Sequence, residues 1–239
     1  MTAVERCFTE FVNVVQKLVV PAVERRRVNA YPDPGPAFSE RLRGLGLVPE
    51  RFYRGGMTFD PKRAEILMDE IDANPPRELL ELGCGNTTAI LCALGYKHGF
   101  NVTSLENHPD SIGYVNYLLE GLPFRNRTNI LRCGFARHSY PDGERYWWYD
   151  VDLGKLGKTY DLVFVDGPMK SLVGRNGALP EVWPFLASGW RLFLDDAKVP
   201  KGKATLAEWQ RYFPGIEVQP YEKVWGCLAK VTPQPGSTT

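Results

Sequence analysis

Four acidic residues close apolar runs in this chain. Glu106 follows Val102-Thr103-Ser104-Leu105, Asp166 follows Leu162-Val163-Phe164-Val165, and Asp195-Asp196 follow Trp190-Arg191-Leu192-Phe193-Leu194. Upstream, Glu78-Leu79-Leu80-Glu81-Leu82-Gly83-Cys84-Gly85-Asn86-Thr87-Thr88 reads as a buried strand, a glycine turn and the first residues of a helix. Gly83 and Gly85 admit a ligand close to the backbone, where a side chain would block it. Thr87 or Thr88 can cap the helix Ala89 to Tyr96, whose unpaired N–H groups then face the same crevice. Glu106 stands about 20 residues beyond Gly85, the offset at which an acid meets ribose hydroxyls in dinucleotide folds. Acids at the ends of parallel strands share one sheet edge, so the pattern implies a nucleoside ligand with a charged tail, bound beside further carboxylates.

A parallel α/β sheet must position these residues. The 239 residues, 44% hydrophobic, suffice for one sizeable core, and one domain with an appendage is expected. The expected division is a helical extension and linker over 1–50, the α/β domain over 51–232 and a flexible tail over 233–239. In the extension, Val4, Phe8, Phe11, Val12, Val15, Leu18 and Val19 recur at helical spacing, with Pro21 as a kink or break. This apolar helix either docks on its own domain, forms a homodimer contact or lies over the site as a lid. Tyr31-Pro32-Asp33-Pro34-Gly35-Pro36 is too rich in proline for regular structure, and a short polar segment follows it. Asp60-Pro61 is a good helix start, and Ala64, Leu67, Met68 and Ile71 form that helix's packing face up to Asn74-Pro75-Pro76. Gly55-Gly56-Met57-Thr58 is either a plain turn or a loop folding over the ligand, which would bring Met57 and Thr58 to it.

Beyond Glu106, Pro109-Asp110 opens a helix reaching about Gly121. Asn129 to Cys133 is a third strand leading into Gly134-Phe135-Ala136, whose end would face the crevice; Phe135 either stacks near a purine or joins the core. Residues 137–159 break the rhythm, and Tyr146-Trp147-Trp148-Tyr149 among charges, glycines and a proline reads as an insertion or a hairpin. Its aromatics either pack on the sheet edge or wall a planar ligand. The polar loop Met169 to Gly177 precedes a helix over Leu179 to Ala187. A helix over Lys203 to Phe213 and two closing strands, Ile216 to Val218 and Val224 to Ala229, complete the pattern.

In this order and at these spacings, Glu81 to Thr88, Leu105-Glu106, Val165-Asp166-Gly167-Pro168 and Leu194-Asp195-Asp196 resemble the class I S-adenosylmethionine-dependent methyltransferases, especially the catechol O-methyltransferase-like group, over roughly residues 55–231. The resemblance implies a Rossmann-like α/β fold: a mostly parallel seven-stranded sheet with helices on both faces and a closing antiparallel strand. It implies S-adenosylmethionine as cofactor, with Gly83, Cys84, Gly85, Thr87 and Thr88 near the methionine part and Glu106 accepting both ribose hydroxyls. Glu81 would reach the cofactor, directly or through water, or else orient the turn. Asn107 would flank the adenine, and Phe135, Ala136 and Asp166 would complete the pocket. The implied reaction is O-methylation of a small, planar or aromatic acceptor, which needs in-line approach and removal of a proton. The group's magnesium ion would fall to Asp166, Asp195 and Asp196. Asp196 departs from the amide usual at its position, and Gly167-Pro168 from a bulkier turn. Lys170, one residue off the group's spacing, is the candidate general base beside Asp166, with His108 and His138 as weaker ones. In the purely structural alternative, Asp166 holds its turn, Asp195-Asp196 cap the next segment of chain, and Lys170 is a solvated loop lysine.

N-methylation of a small amine would leave the cofactor half unchanged. An NAD-dependent oxidoreductase is disfavoured, because Thr88 replaces the third fingerprint glycine and the first core strand begins only near residue 78. An aminopropyltransferase would need an acidic substrate loop that the sequence lacks, whereas a non-catalytic cofactor-binding protein stays open. A net charge of +1 gives no field for nucleic acid as a partner. Cys7, Cys84, Cys92, Cys133 and Cys227 are odd in number and without C-x-x-C spacing, as in reduced, mostly buried thiols. With no membrane-length apolar run and no signal-peptide pattern, a cytoplasmic protein without a membrane partner is expected.

Overall fold

The computed structural model describes residues 1–27, 35–52, 60–169, 171–221 and 228–234, with the side chains of the first helix through Leu18. Its strands are β1 (Glu78–Leu82), β2 (Asn101–Glu106), β3 (Thr128–Arg132), β4 (Phe135–Ser139), β5 (Arg145–Tyr149), β6 (Tyr160–Val165), β7 (Leu186–Leu194), β8 (Ile216–Tyr221) and β9 (Leu228–Pro233). Seven of them form one sheet in the order β3-β2-β1-β6-β7-β9-β8, while β4 and β5 pair separately. Strands β3, β2, β1, β6 and β7 are parallel, and β9 lies between β7 and the edge strand β8, antiparallel to both. Order reverses at β1, which lies between β2 and β6, and this is where a parallel sheet opens a crevice at its carboxyl edge. The expected seven-stranded Rossmann-like architecture is therefore the one observed.

Near-continuous apolar runs suit strands covered on both faces. Leu80, Leu82, Val163, Val165, Leu192 and Leu194 enter one core cluster, whereas Leu79, Leu162, Phe164 and Phe193 enter the other. This is the period-two alternation of a pleated strand. The second cluster is covered by α2 (Gly35–Gly44), α3 (Pro61–Ala73), α4 (Asn86–His98) and α5 (Pro109–Leu118). The first is covered by α1 (Ala3–Arg27), α6 (Ala178–Val182), α7 (Pro200–Tyr212) and the β4–β5 hairpin. No helix of the described residues is long and apolar enough to cross a membrane.

Several boundaries differ from the sequence reading. The segment read as polar contains α2, which buries Phe38 and Leu42 four residues apart on one face. Helix α1 continues through Pro21 to Arg27. The helix expected to reach Ala187 ends at Val182, followed by a 3₁₀ turn over Trp183–Phe185; Pro184 has no N–H to continue the ladder, and β7 begins at Leu186. The last strand is described from Leu228 on, and Val224 to Cys227 of the expected closing strand lie outside the described residues. Residues 28–34, covering most of the proline-rich stretch, and 53–59 lie outside the described residues.

The irregular stretch after β3 is a hairpin, and α1 docks on it. The Phe8 ring stacks on Trp147 at 3.8 Å and 14°, and meets Phe135 edge-on at 6.1 Å. Thr9 Oγ1 accepts the Phe135 N–H at 2.8 Å, and Val12 is fully buried. Trp148 points the other way, against the backbone of Gly177, where a Cβ would lie 2.7 Å from the indole. Tyr140 Oη and Trp209 Nε1 both donate to the Asn176 carbonyl, at 3.2 and 2.7 Å. Tyr146 and Trp148 thus prop the loop after β6 from beneath, while Trp147 packs on α1.

Trp148→Ala removes a side chain buried to within 1% and undercuts that loop. Urea unfolding is expected to show a loss of about 3–5 kcal/mol at unchanged m-value.

Candidate active site

The carboxyl ends of β1, β2, β6 and β7 converge, and the residues at each end are tied to their neighbours. Glu106 is buried at the end of β2. Its Oε2 accepts the Cys84 N–H at 2.9 Å, and its Oε1 accepts the N–H groups of Asn107 and His108, each at 2.7 Å. One carboxylate thereby fixes the glycine turn after β1 relative to the turn after β2. Burial raises the Glu106 pKa, and the three N–H donors work against that rise.

Gly83 sits at φ +89°, a left-handed conformation that L side chains rarely adopt. A Cβ there would lie 2.7 Å from Gly167 N, and one on Gly167 would lie 2.6 Å from Gly83 Cα. The turns after β1 and β6 are therefore in backbone contact, and Gly83 meets another turn as well as facing the crevice. Gly85 is the N-cap of α4, and Thr88 closes back on it by accepting the Gly85 N–H at 2.9 Å. Thr87 and Thr88 are both buried.

Two buried polar atoms under this turn have no hydrogen-bond partner among the described residues. Glu81 is fully buried on β1; Ser104 Oγ donates to its Oε2 at 2.6 Å, while Oε1 has no hydrogen bond. Burial pushes its pKa up to about 8, with Ser104 and Thr88 opposing and the charges of Asp166 and Glu106 adding to the rise. The Tyr149 hydroxyl, also unpaired, lies where a Cβ on Gly167 would approach it to 2.8 Å. Buried acceptors and donors are normally satisfied, so such orphans mark places where a ligand or water completes the bonding. The set fits a nucleoside cofactor with a cationic tail.

Asp166, Asp195 and Asp196 do converge, but around two guanidiniums. Arg63 Nη1 donates to Asp195 Oδ1 and stands 3.6 Å from Asp196 Oδ1. Arg175 Nη2 donates to Asp166 Oδ1 at 2.8 Å and to the Asp166 carbonyl, while its Nη1 donates to the Asp195 carbonyl at 2.8 Å and stands 3.8 Å from Asp196 Oδ2. Burial alone would lower the Arg63 pKa, but Asp195, Asp196 and Asp166 raise it, so it stays protonated. Burial and the Asp166 charge push the Asp195 carboxyl up, with Arg63 opposing. A divalent ion at these acids would have to displace buried cations, and among the described residues no group of three or more acid, histidine or cysteine side chains is arranged to hold a metal. The donor set does not fit the magnesium ion implied by the resemblance.

Sequence reading named neither arginine. Arg63 carried a signal, because it lies four residues before Leu67, in phase with the buried face of α3 where a charge has no reason to be unless paired. Arg175 carried none beyond its place in the loop after Asp166. Asn107 is buried, and its Nδ2 donates to Asn13 Oδ1 at 2.8 Å and Gln16 Oε1 at 2.6 Å, so its amide is engaged by α1 and the helix borders this end of the crevice. Phe135 offers no face to a purine: its ring is fully buried between Phe8 and Tyr149. Ala136 lies in β4 opposite Trp148. His108 is the N-cap of α5, and His138 pairs with Glu181 at 2.7 Å on the hairpin. Met57, Thr58 and Lys170 lie outside the described residues. Cys7, Cys84, Cys92 and Cys133 are free thiols; burial pushes those of Cys84 and Cys92 far up, which removes them as nucleophiles.

No family model matches the sequence, and no curated protein matches it. Solved structures do resemble the fold. A methyltransferase of Podospora anserina with SAH bound aligns at TM-score 0.60 and 15% identity over 84% of this chain and 88% of its own. An O-methyltransferase of Bacillus cereus in complex with SAH aligns at 0.56 and 12% over 89% and 97%. The O-methyltransferase TomG of Streptomyces achromogenes, in complex with SAM, aligns at 0.51 and 11% over 98% and 100%. At these identities the likeness establishes the fold.

Glu81 makes stability depend on pH. In the folded chain its carboxyl holds a proton up to about pH 8, whereas unfolded glutamate releases it near 4.5. The native state binds the extra proton between those values, so stability falls as pH rises through that window, by at most about 1.4 kcal/mol per pH unit from this group, and levels off above it. Urea unfolding between pH 5 and 9 is expected to show stability falling with pH in the wild type and a shallower fall in Glu81→Gln, the remainder coming from Glu106 and Asp195.

Proposed function

We propose that this chain transfers a methyl group from S-adenosylmethionine to a hydroxyl of a small, planar or aromatic molecule. The observation that carries the reading is the pairing, at the β1–β2 edge, of Glu106 locked to the glycine turn with a fully buried Glu81 whose Oε1 is unpartnered. An acceptor-only carboxylate beside a glycine turn suits ribose hydroxyls, and a buried orphan carboxylate oxygen suits an ammonium group. The SAM or SAH bound to the structural neighbours supports the same assignment.

When bound, the cofactor supplies an electrophilic methyl on its sulfonium. This chain's residues then have two tasks, to hold the acceptor atom in line and to take its proton. Asp166, partly exposed at the end of β6 and oriented by Arg175, and Lys170, four residues on, are the candidates beside the acceptor. Lys170 would act as base if burial or a neighbouring cation lowered its pKa. N-methylation of a small amine would use the same cofactor half. The free thiols support a reducing compartment, in keeping with a cytoplasmic enzyme.

We also propose that the outer face of α1 pairs with a second copy of the chain. Val4, Cys7, Phe11, Val14 and Leu18 follow one another at alternating spacings of three and four, and Val4, Phe11, Val14 and Leu18 are 66%, 56%, 56% and 69% exposed. Glu10 and Lys17, both exposed, flank this seam on the same side. An antiparallel pair sets that flank against itself, glutamate toward lysine, whereas a parallel pair would set it against the flank of Phe8 and Val15.

Calorimetric titration of the purified chain with S-adenosylhomocysteine is expected to give binding near micromolar affinity that Glu106→Ala weakens at least about tenfold. Absence of binding by the folded wild type would overturn the methyltransferase reading. Light scattering is expected to show twice the mass of one chain for the wild type and a single chain for Phe11→Asp. A wild type monomeric at about 100 μM would overturn the pairing.

A further inference from the structure

The acidic edge has its own cations. Asp195 is buried with Arg63 against its Oδ1, and Arg175, also buried, spans Asp166 and the Asp195 carbonyl. Each guanidinium is placed by an element whose packing is independent of any ligand. Arg63 projects from the first turn of α3, whose start is set by Asp60 accepting the Lys62 and Arg63 N–H groups at 2.9 and 3.4 Å. Arg175 is carried by the loop that Trp148, Tyr140 and Trp209 hold from beneath.

We infer that the positive charge this edge requires comes from Arg63 and Arg175, and that acceptor activation here is independent of a divalent metal ion. The inference rests on the methyltransferase reading of the edge, and its basis is competition for the same carboxylates. Guanidinium keeps its charge at any accessible pH, so neither arginine can yield by losing a proton. Magnesium demands oxygen ligands in near-ideal octahedral geometry at about 2.0–2.1 Å and gives up its waters reluctantly. To recruit Asp166 and Asp195 it would have to break two ion pairs and strand two buried guanidiniums, which makes entry strongly unfavourable.

The two arginines also bear on the substrate. A chelating ion selects vicinal hydroxyls, because both oxygens bind it; two guanidiniums already engaged with aspartates have no such preference. The acceptor class is therefore a molecule offering one nucleophilic oxygen or nitrogen that is acidic enough to lose its proton to a side chain.

The test uses the full chain, stripped with EDTA and saturated with S-adenosylhomocysteine, and titrates it with Mn²⁺ while electron paramagnetic resonance follows free ion. No saturable uptake is expected up to about 1 mM, the weak end of protein sites for hard divalent cations. The apparent melting temperature is expected to be the same in magnesium chloride and in sodium chloride of equal ionic strength. In Arg63→Met, which frees Asp195, Mn²⁺ uptake is expected to tighten at least about tenfold, and Asp195→Asn added to it should abolish the gain. If Arg63→Met does not fold, the wild-type titration decides alone. Uptake of one Mn²⁺ per wild-type chain, abolished by Asp195→Asn, would overturn the inference while leaving the cofactor reading intact. Failure to bind S-adenosylhomocysteine would instead remove the reading on which the inference rests.

Discussion

The Glu106 carboxylate holds this site together because it ties the turns that follow two neighbouring strands to one another. The glycine turn after β1 and the Asn107-His108 turn after β2 each leave backbone N–H groups unpaired where their strands stop. One carboxylate at the end of β2 takes three of those donors. Unsatisfied buried N–H groups cost about 1–3 kcal/mol each, so this acceptor stabilises both turns. The group that supports the fold there is also the one proposed to meet the cofactor's ribose.

The next layer is backbone against backbone. Gly83 and Gly167 approach so closely that a Cβ on either would overlap the other's main chain, which sets the turns after β1 and β6 at a fixed separation. From there the support passes outward to Tyr149, whose hydroxyl lies beside Gly167, then to the hairpin and to the first helix stacked on it through Phe8 and Trp147. A hairpin stands between β3 and β6, where alternation would have placed a helix. Its aromatic side chains fill the volume of that missing helix and in addition carry the loop bearing Arg175.

Charge at this edge is organised by burial. Glu81 keeps its proton because nothing cationic among the described residues offsets its desolvation. Arg63 stays charged because the aspartates around it offset its burial. Two buried carboxylates at this edge thus differ in their partners, Glu81 meeting a serine hydroxyl and Asp195 a guanidinium.

Much of this was legible in the residues themselves. Period-two apolar runs bounded by glycine and proline can form little except buried strands, and acids at their ends must share an edge once the strands are parallel. The glycine turn, Glu106, Asp166, Asp195 and the start of α3 at Asp60-Pro61 were readable for that reason, since each depends on local chemistry or on a spacing that the fold preserves. What stayed hidden depends on contacts between residues far apart in the chain. Arg63 meets Asp195 across 132 positions, and Asn107 meets α1 across more than 90. Phe135 by its type favoured the core over a purine, and α1 packed against it decides for the core. Sequence spacing determines which side chains reach the sheet edge; whether an aspartate there meets a metal ion or a guanidinium is decided by which other element packs above it, because the same carboxylate satisfies either cation.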